Sequence, residues 1–350
     1  MGFLSSGDFM EYRKLGASSV KVSPICLGTM NFGDRTDFAA AEQIVNAAFD
    51  AGINFIDTAD VYVKGESERI VGKLVKKHRE HWVLATKVAN AMGSEPNESG
   101  LSRKHIMRSA DASLARLDTD YIDVYYLHYD DPEANLAEAF EALADLVAGG
   151  KVHYVGLSNF RGWRIAQAME LCRSEGFTAP AMCQPYYNAM NRMPEVEILP
   201  ACHHYGLGIV PYSPLARGML TGKYKPGDAP PEDSRAGRKD KRMLETEFRK
   251  ESMVMAQTIV EHAKTRGMTG GQFAINWVLN NRLVTSALAG PRTLDHWTEY
   301  VDALNHPFSA EDEALVDSLV PPGHASTPGY NDPRYPFYGR LPLTDPAGKA

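Results

Sequence analysis

Eight short apolar runs, each followed by a stretch with helical character, constrain this chain more than any other feature. The runs are Ile25–Met30, Asn54–Thr58, Trp82–Val88, Tyr121–His128, His153–Ser158, Ala181–Tyr187, Gly208–Ser213 and Val284–Ala289. Helices are expected over Phe38–Ala51 behind Asp37 as N-cap, Glu68–Lys77 behind Ser67, Leu101–Leu117, Ala134–Ala148, Arg161–Glu175, Glu195–Tyr205, Thr246–Arg266, near Gly271–Leu279, and over Leu294–Leu304. Several of these stretches stop at glycine (Gly149-Gly150, Gly176, Gly206, Gly267), the residue that ends helices most cheaply. Eight β–α units with short apolar strands predict an α/β fold, a parallel sheet closed into a (β/α)8 TIM barrel. The competing architecture is a doubly wound sheet. It would place a G-x-G-x-x-G turn after the first strand, but there Gly28-Thr29-Met30 runs into Asn31 and Phe32 before Gly33.

Three segments fall outside the alternation. Residues 12–23 read as a small hairpin turned at Gly16-Ala17-Ser18-Ser19. Residues 217–250 form a long, charge-rich loop after the seventh strand, whose charge cluster reads most simply as a solvated face. The tail from Pro321 to Ala350 carries Tyr330, Tyr335, Phe337 and Tyr338 among prolines and glycines, and is expected to fold back over one mouth of the barrel. The chain is therefore read as one domain, 1–350, with its core at 12–319 and a tail at 320–350.

Hydrophobic residues make up 44% of the chain, enough for a large core, and the net charge of −7 gives no basic surface for nucleic acid. Apolar stretches are too short for a membrane span. Cys26, Cys172, Cys183 and Cys202 have no C-x-x-C spacing, and reduced, buried thiols in a cytoplasmic protein are expected. The start Met1-Gly2-Phe3-Leu4-Ser5-Ser6 fits a loose myristoylation pattern, weighed against Met10-Glu11-Tyr12-Arg13 as a natural beginning.

In a barrel of this kind, reactive residues sit at the C-terminal strand ends. Those ends carry Asp57 and Tyr62 (second), Lys87 (third), His128 (fourth), Ser158-Asn159 (fifth), Gln184 (sixth) and Tyr212-Ser213 (seventh). Each alone has an ordinary reading as a cap, a rim lysine or a packing residue. Together they suit proton donation to a carbonyl oxygen. A phenol near pKa 10 is a poor acid at neutral pH; a neighbouring ammonium favours its phenolate, and a carboxylate keeps that ammonium charged. The late loops look nucleotide-shaped. Tyr212 can stack on a flat ring, Ser213-Pro214-Leu215-Ala216-Arg217-Gly218 can offer backbone N–H groups to phosphate, and Arg292 follows Gly290-Pro291 at a helix start. No metal-binding spacing such as H-E-x-x-H occurs, and adjacent His203 and His204 diverge on a helix, so a metallohydrolase built with His128 is disfavoured.

With these residues in view, the chain resembles the aldo-keto reductase superfamily, in the branch that holds bacterial oxidoreductases and potassium-channel β subunits. The resemblance runs from about Tyr12 to about Leu319. It rests on Leu27-Gly28-Thr29-Met30, Asp57-Thr58-Ala59-Asp60-Val61-Tyr62, Ala85-Thr86-Lys87, Asp120 through His128, Gly156-Leu157-Ser158-Asn159-Phe160, Gln184-Pro185-Tyr186-Tyr187-Asn188 and Pro211-Tyr212-Ser213-Pro214-Leu215-Ala216. It implies an NADPH-dependent reduction of aldehydes or ketones, with NADH the less favoured cofactor. Tyr62 would be the general acid, Lys87 and Asp57 would tune it, and His128 would orient substrate. Ser158, Asn159 and Gln184 would hold the nicotinamide carboxamide, Tyr212 would stack on its ring, residues 213–218 would take the pyrophosphate and Arg292 the 2′-phosphate. Gly28, Thr29, Met30, Asp57, Gly290 and His296 complete the implied cofactor surface. Asn31, Phe32, Tyr62, His128 and Tyr129 are the expected substrate contacts.

Three departures stand out. Val63-Lys64 follows Tyr62 where the family usually has glycine, Arg217 replaces a small residue, and Tyr300 replaces an asparagine near the adenine end. The resemblance also admits a second reading, a cofactor-binding redox-sensing subunit of another protein. Substrate identity, and monomer against homo-oligomer, stay open.

Overall fold

The computed structural model describes residues 10–327, 329 and 332–335. The myristoylation-like start and the tail aromatics Tyr330, Phe337 and Tyr338 lie outside the described residues.

A hairpin comes first, β1 (Arg13–Lys14) and β2 (Lys21–Val22), paired antiparallel. Eight strands then line up side by side: β3 (Ile25–Gly28), β4 (Phe55–Asp57), β5 (Val83–Val88), β6 (Ile122–Leu127), β7 (Val152–Ser158), β8 (Met182–Gln184), β9 (Gly208–Ile209) and β10 (Ala287–Ala289). Every neighbouring pair is parallel, and β10 pairs back onto β3. Single parallel bridges, Ile209 to Val284 and Tyr212 to Leu288, tie the last gap. The sheet is thus a (β/α)8 barrel. Several strands are shorter than their apolar runs, because pairing stops where the chain curves out into the loops.

One end of the barrel is sealed. Leu15 and Val22 of the hairpin join Cys26, Phe55, Ala85, Val124, Tyr126, Met182 and Val210 in a buried cluster inside the sheet. Gly16 makes this possible: its φ is +60°, and a Cβ there would stand 2.4 Å from the Gly206 carbonyl oxygen. Only glycine fits both that backbone and that approach. Entry to the barrel is left to the C-terminal strand ends.

The helices are α1 (Phe38–Asp50), α2 (Glu66–Val75), α3 (Arg103–Leu117), α4 (Leu136–Ala148), α5 (Gly162–Glu175), α6 (Ile198–Tyr205), α7 (Lys241–Glu245), α8 (Lys250–Thr265), α9 (Gly270–Asn280), α10 (Leu294–Asp302) and α11 (Ala310–Leu319). Asp37 caps α1 as expected, accepting from the Ala40 N–H. Ser67 does not cap α2. That helix begins at Glu66, and the buried Ser67 hydroxyl instead bonds the Thr29 carbonyl at 2.8 Å and the Thr58 hydroxyl at 2.9 Å. The sequence reading also missed α7 and α11. The second is marked by a capping box, in which Ser309 accepts from the Asp312 N–H and Asp312 from the Ser309 N–H.

All four cysteines are buried free thiols. Among the described residues no helix is long and apolar enough to cross a membrane.

Candidate active site

Three strand ends, those of β4, β5 and β6, place four side chains in one mouth. Lys87 stands in β5 with its ammonium fully buried. Its Nζ donates to Asp57 Oδ1 at the end of β4 and to the Thr58 carbonyl at 2.7 Å, and approaches the Tyr62 hydroxyl at 3.4 Å. The three protons of an ammonium thus have three acceptors. His128, just after β6, sets its ring edge-on to Tyr62 with centroids 5.9 Å apart. The other Asp57 oxygen accepts from Gln184 Nε2 at 3.0 Å.

Burial decides the protonation states. It is the largest single influence on Lys87 and by itself would lower its pKa; Asp57 and Tyr62 together outweigh it, so the ammonium persists above the ordinary lysine range. Burial also lifts the Asp57 carboxyl, against the pull of Lys87 and Gln184. For Tyr62, burial comes first and raises the phenol pKa. Lys87 works in the expected downward direction but does not overcome it, so the net shift is opposite to the one expected from the sequence. His128 is pushed well below its ordinary value by burial, then by Lys87, Arg334 and Arg242, and is a neutral imidazole at neutral pH.

The turn carrying Tyr62 is strained. Val63 (φ 49°) and Lys64 (φ 54°) are left-handed, and Gly65 (φ 88°) follows. A β-branched residue rarely adopts that conformation, and a glycine at this position would avoid the difficulty. A polar network braces the turn from beneath. Buried Glu68 accepts from Thr86 at 2.6 Å and pairs with Arg116 Nε at 2.5 Å. Arg116 lies across Gly65, where a Cβ would come within 2.6 Å of its Cδ. Asp60 is completely buried beside this network without a well-formed hydrogen bond to its carboxylate. Burial, then Glu68, raises its pKa to about 7. Little in the sequence marks this network: Asp60 and Arg116 are charges beside apolar neighbours, and Glu68 stands unmarked among Glu66, Ser67 and Arg69.

The β7–β9 rim is knitted together. Ser158 donates to the Gln184 carbonyl at 2.9 Å. Asn159, at φ 59°, donates to the His128 carbonyl at 2.9 Å and accepts from the Tyr212 hydroxyl at 2.8 Å. One asparagine therefore joins three of the predicted positions.

Several expected contacts fall elsewhere. Phe32 is fully buried and belongs to the large hydrophobic core cluster. Thr29 is also fully buried, its hydroxyl committed to the Asp57 carbonyl at 2.9 Å and to Ser67. Arg217 is no open pyrophosphate contact: it is buried and paired with Glu247 at 2.8 Å, with Asp332 at 3.5 Å. In the loop 213–218, Ser213, Ala216, Arg217 and Gly218 have positive φ, but the Ala216 and Gly218 N–H groups turn inward onto the Ser213 and Leu215 carbonyls at 3.0 and 2.9 Å. The loop after β9 is also less solvated than its charge suggested, burying Tyr224, Ser234, Ala236, Met243 and Glu247.

Other expected residues form a second cluster near the start of α10. Arg292 binds Asp233 at 2.8 Å, and Arg35 binds the same carboxylate from the first βα loop. Thr36 donates to the Arg292 carbonyl at 3.0 Å and Asn31 to the Pro291 carbonyl at 3.4 Å, fixing this loop beside Gly290. Burial, then Arg292, lowers the pKa of Lys223 and of His296. His296 stacks on Tyr300 with an 11° interplanar angle. The result is a cationic socket with one exposed carboxylate in it.

The described part of the tail reaches the mouth, as expected. Asp332 Oδ2 takes Arg242 Nε and Nη2 at 2.9 and 2.6 Å. Arg161 donates to the Tyr335 carbonyl at 2.9 Å, and Arg334 donates to Asn90, three residues beyond Lys87. Tyr335 is close enough to Tyr62, Tyr129 and Tyr212 to influence all three phenols.

Known proteins resemble this chain along most of its length. An oxidoreductase of Bacillus subtilis (strain 168), itself uncharacterized, is 36% identical over 332 residues, covering 91% of this chain and 98% of its own. A protein of Oryza sativa subsp. japonica named probable voltage-gated potassium channel subunit beta is 34% identical over 301 residues, 85% of this chain and 92% of its own. The L-glyceraldehyde 3-phosphate reductase of Escherichia coli (strain K12) is 33% identical over 327 residues, 90% of this chain and 93% of its own. The profile of the Aldo/keto reductase family matches residues 24–321. A closed parallel barrel, a mouth holding Asp57, Tyr62, Lys87 and His128, and this coverage lead to one conclusion: the chain belongs to the aldo/keto reductase family of oxidoreductases.

Proposed function

We propose that this protein is an NADPH-dependent reductase of aldehydes or ketones, acting as one cytoplasmic domain, with Tyr62 as the general acid. The observation that carries the reading is the fully satisfied Lys87 ammonium, anchored on Asp57 and the Thr58 carbonyl and turned toward the Tyr62 hydroxyl in the barrel's open mouth. Tyr62 holds the proton that a carbonyl oxygen receives. Lys87 stabilises the phenolate left behind, and Asp57 keeps Lys87 charged and in place. Neutral His128 steadies the carbonyl oxygen beside Tyr62 without competing for its proton.

The residues fit a nicotinamide dinucleotide. Arg35 and Arg292 form a doubly cationic socket, now filled by Asp233, of the kind a 2′-phosphate needs. Tyr212 offers a ring face, and Ser158, Asn159 and Gln184 offer a polar edge beside it. Bound there, NADPH supplies the hydride. Fluorescence titration with NADPH and NADH, followed by oxidation of the bound cofactor with a carbonyl panel, tests the reading. Tight NADPH binding with turnover is expected; no binding of either cofactor would sink it.

The relatives named as potassium-channel β subunits favour a second reading, a cofactor-binding sensor subunit. Binding without turnover on a broad panel, together with capture of a stable membrane partner, would favour it over the enzyme.

A further inference from the structure

Among the described residues, Arg334 is the one tail cation at the mouth that the surrounding carboxylates leave uncompensated. Asp332 is already taken: one oxygen receives Arg242, the other the Arg334 backbone N–H at 3.0 Å. Glu247 is paired with Arg217, and Asp130 with Arg164 Nε at 2.8 Å. Among the described residues no carboxylate lies within ion-pair distance of the Arg334 guanidinium. Its polar partner is the neutral Asn90 amide oxygen. That pairing turns the Asn90 amide into a donor without an acceptor: Nδ2 is buried and has no hydrogen-bond partner. Nδ1 of His128 is likewise buried and unpartnered. The guanidinium is near enough to His128 to depress its basicity, as is Arg242. A cation and buried polar nitrogens with no acceptor therefore converge beside the point where the carbonyl would be protonated.

Buried donors without acceptors are costly, and a guanidinium recruits oxyanions in preference to neutral groups. We propose that Arg334 and Asn90 form an anion subsite, so that the preferred substrate is a small aldehyde with a carboxylate or phosphate a few bonds from its carbonyl. This rests on the reductase reading above and names its substrate class. Such a group would bridge Arg334 and the Asn90 amide, holding the carbonyl end toward Tyr62 and His128.

The test uses the full chain with NADPH and matched aldehydes: 4-oxobutanoate against butanal, glyceraldehyde 3-phosphate against glyceraldehyde, and 4-nitrobenzaldehyde as a reference. The anionic member of at least one pair is expected to show a kcat/KM higher by about 10- to 100-fold, mostly through KM. The favoured pair distinguishes carboxylate from phosphate. Arg334→Gln is expected to collapse the anionic-to-neutral ratio toward one, and Arg334→Lys to keep part of it. A merely structural role would lower both members alike and leave the ratio unchanged. A wild-type ratio near one for both pairs, or a ratio untouched by Arg334→Gln, overturns the subsite while 4-nitrobenzaldehyde turnover keeps the reductase reading intact. If no aldehyde is turned over, that reading fails instead, and calorimetry with succinate and with inorganic phosphate decides the subsite. Binding lost in Arg334→Gln upholds it; no binding to wild type overturns it.

Discussion

The ammonium of Lys87 is held by Asp57 and the Thr58 carbonyl and stands 3.4 Å from the Tyr62 hydroxyl. Its hold on the carboxylate is the tighter one. Asp57 and Lys87 are both fully buried, so each is the other's main compensation. Removing one member leaves a charge stranded in the core, typically at a cost of about 3–5 kcal/mol. Lys87→Met is therefore expected to destabilise strongly in urea unfolding. The double variant Asp57→Asn with Lys87→Met should be the more stable of the two. Additive losses would mean that the pair is not coupled as its geometry requires.

Cofactor choice should reside in Arg35 and Arg292. Replacing Arg292 by Gln removes a charge-assisted contact to the 2′-phosphate, and NADPH affinity is expected to fall about 10- to 100-fold. NADH binding should change far less. Fluorescence titration of both cofactors checks this, and equal losses for both would move the phosphate contact elsewhere.

Asp60 predicts a pH dependence of stability. Its carboxyl titrates at about 7 in the fold, against about 3.9 in an unfolded chain. The folded state keeps a proton that the unfolded state releases between those values. Its contribution is thus fully present below about pH 4 and is lost as pH rises through 7. Asp60→Asn cannot ionise, so it should gain on wild type by up to a few kcal/mol at pH 8 and differ little at pH 4. Thermal unfolding at both values decides, and an equal effect at the two would contradict the assignment.

Val63 carries avoidable strain. A left-handed conformation costs an L-residue roughly 1–2 kcal/mol, more when it is β-branched, and glycine escapes that cost at some loss of backbone entropy. Val63→Gly is expected to stabilise by about 1 kcal/mol. Denaturant midpoints of the pair check this; destabilisation would show that packing of the valine outweighs its backbone.

The barrel was legible because its strands are apolar on both faces and its helices end in glycine, signals that act within a few residues. The site was legible where a polar residue interrupts an apolar strand end, as at Asp57, Lys87 and His128. What escaped depends on partners far apart in sequence. Phe32 looked like a mouth residue and is fully buried in the core cluster, on a loop closed by a bridge to Thr36. Arg217 looked like a phosphate ligand and is neutralised by Glu247, thirty residues on. Arg334 and Asn90 are separated by 244 positions, and no local pattern links them. Strand ends were overdrawn because hydrophobicity continues past the last paired residue.

The most direct test is NADPH oxidation by a carbonyl substrate in wild type and in Tyr62→Phe, with cofactor affinity measured alongside. Removing a positioned general acid costs about 10²- to 10⁴-fold. The expected result is a loss of that size in kcat with NADPH affinity nearly unchanged. Full turnover by the phenylalanine variant would contradict the assignment of Tyr62 as the acid.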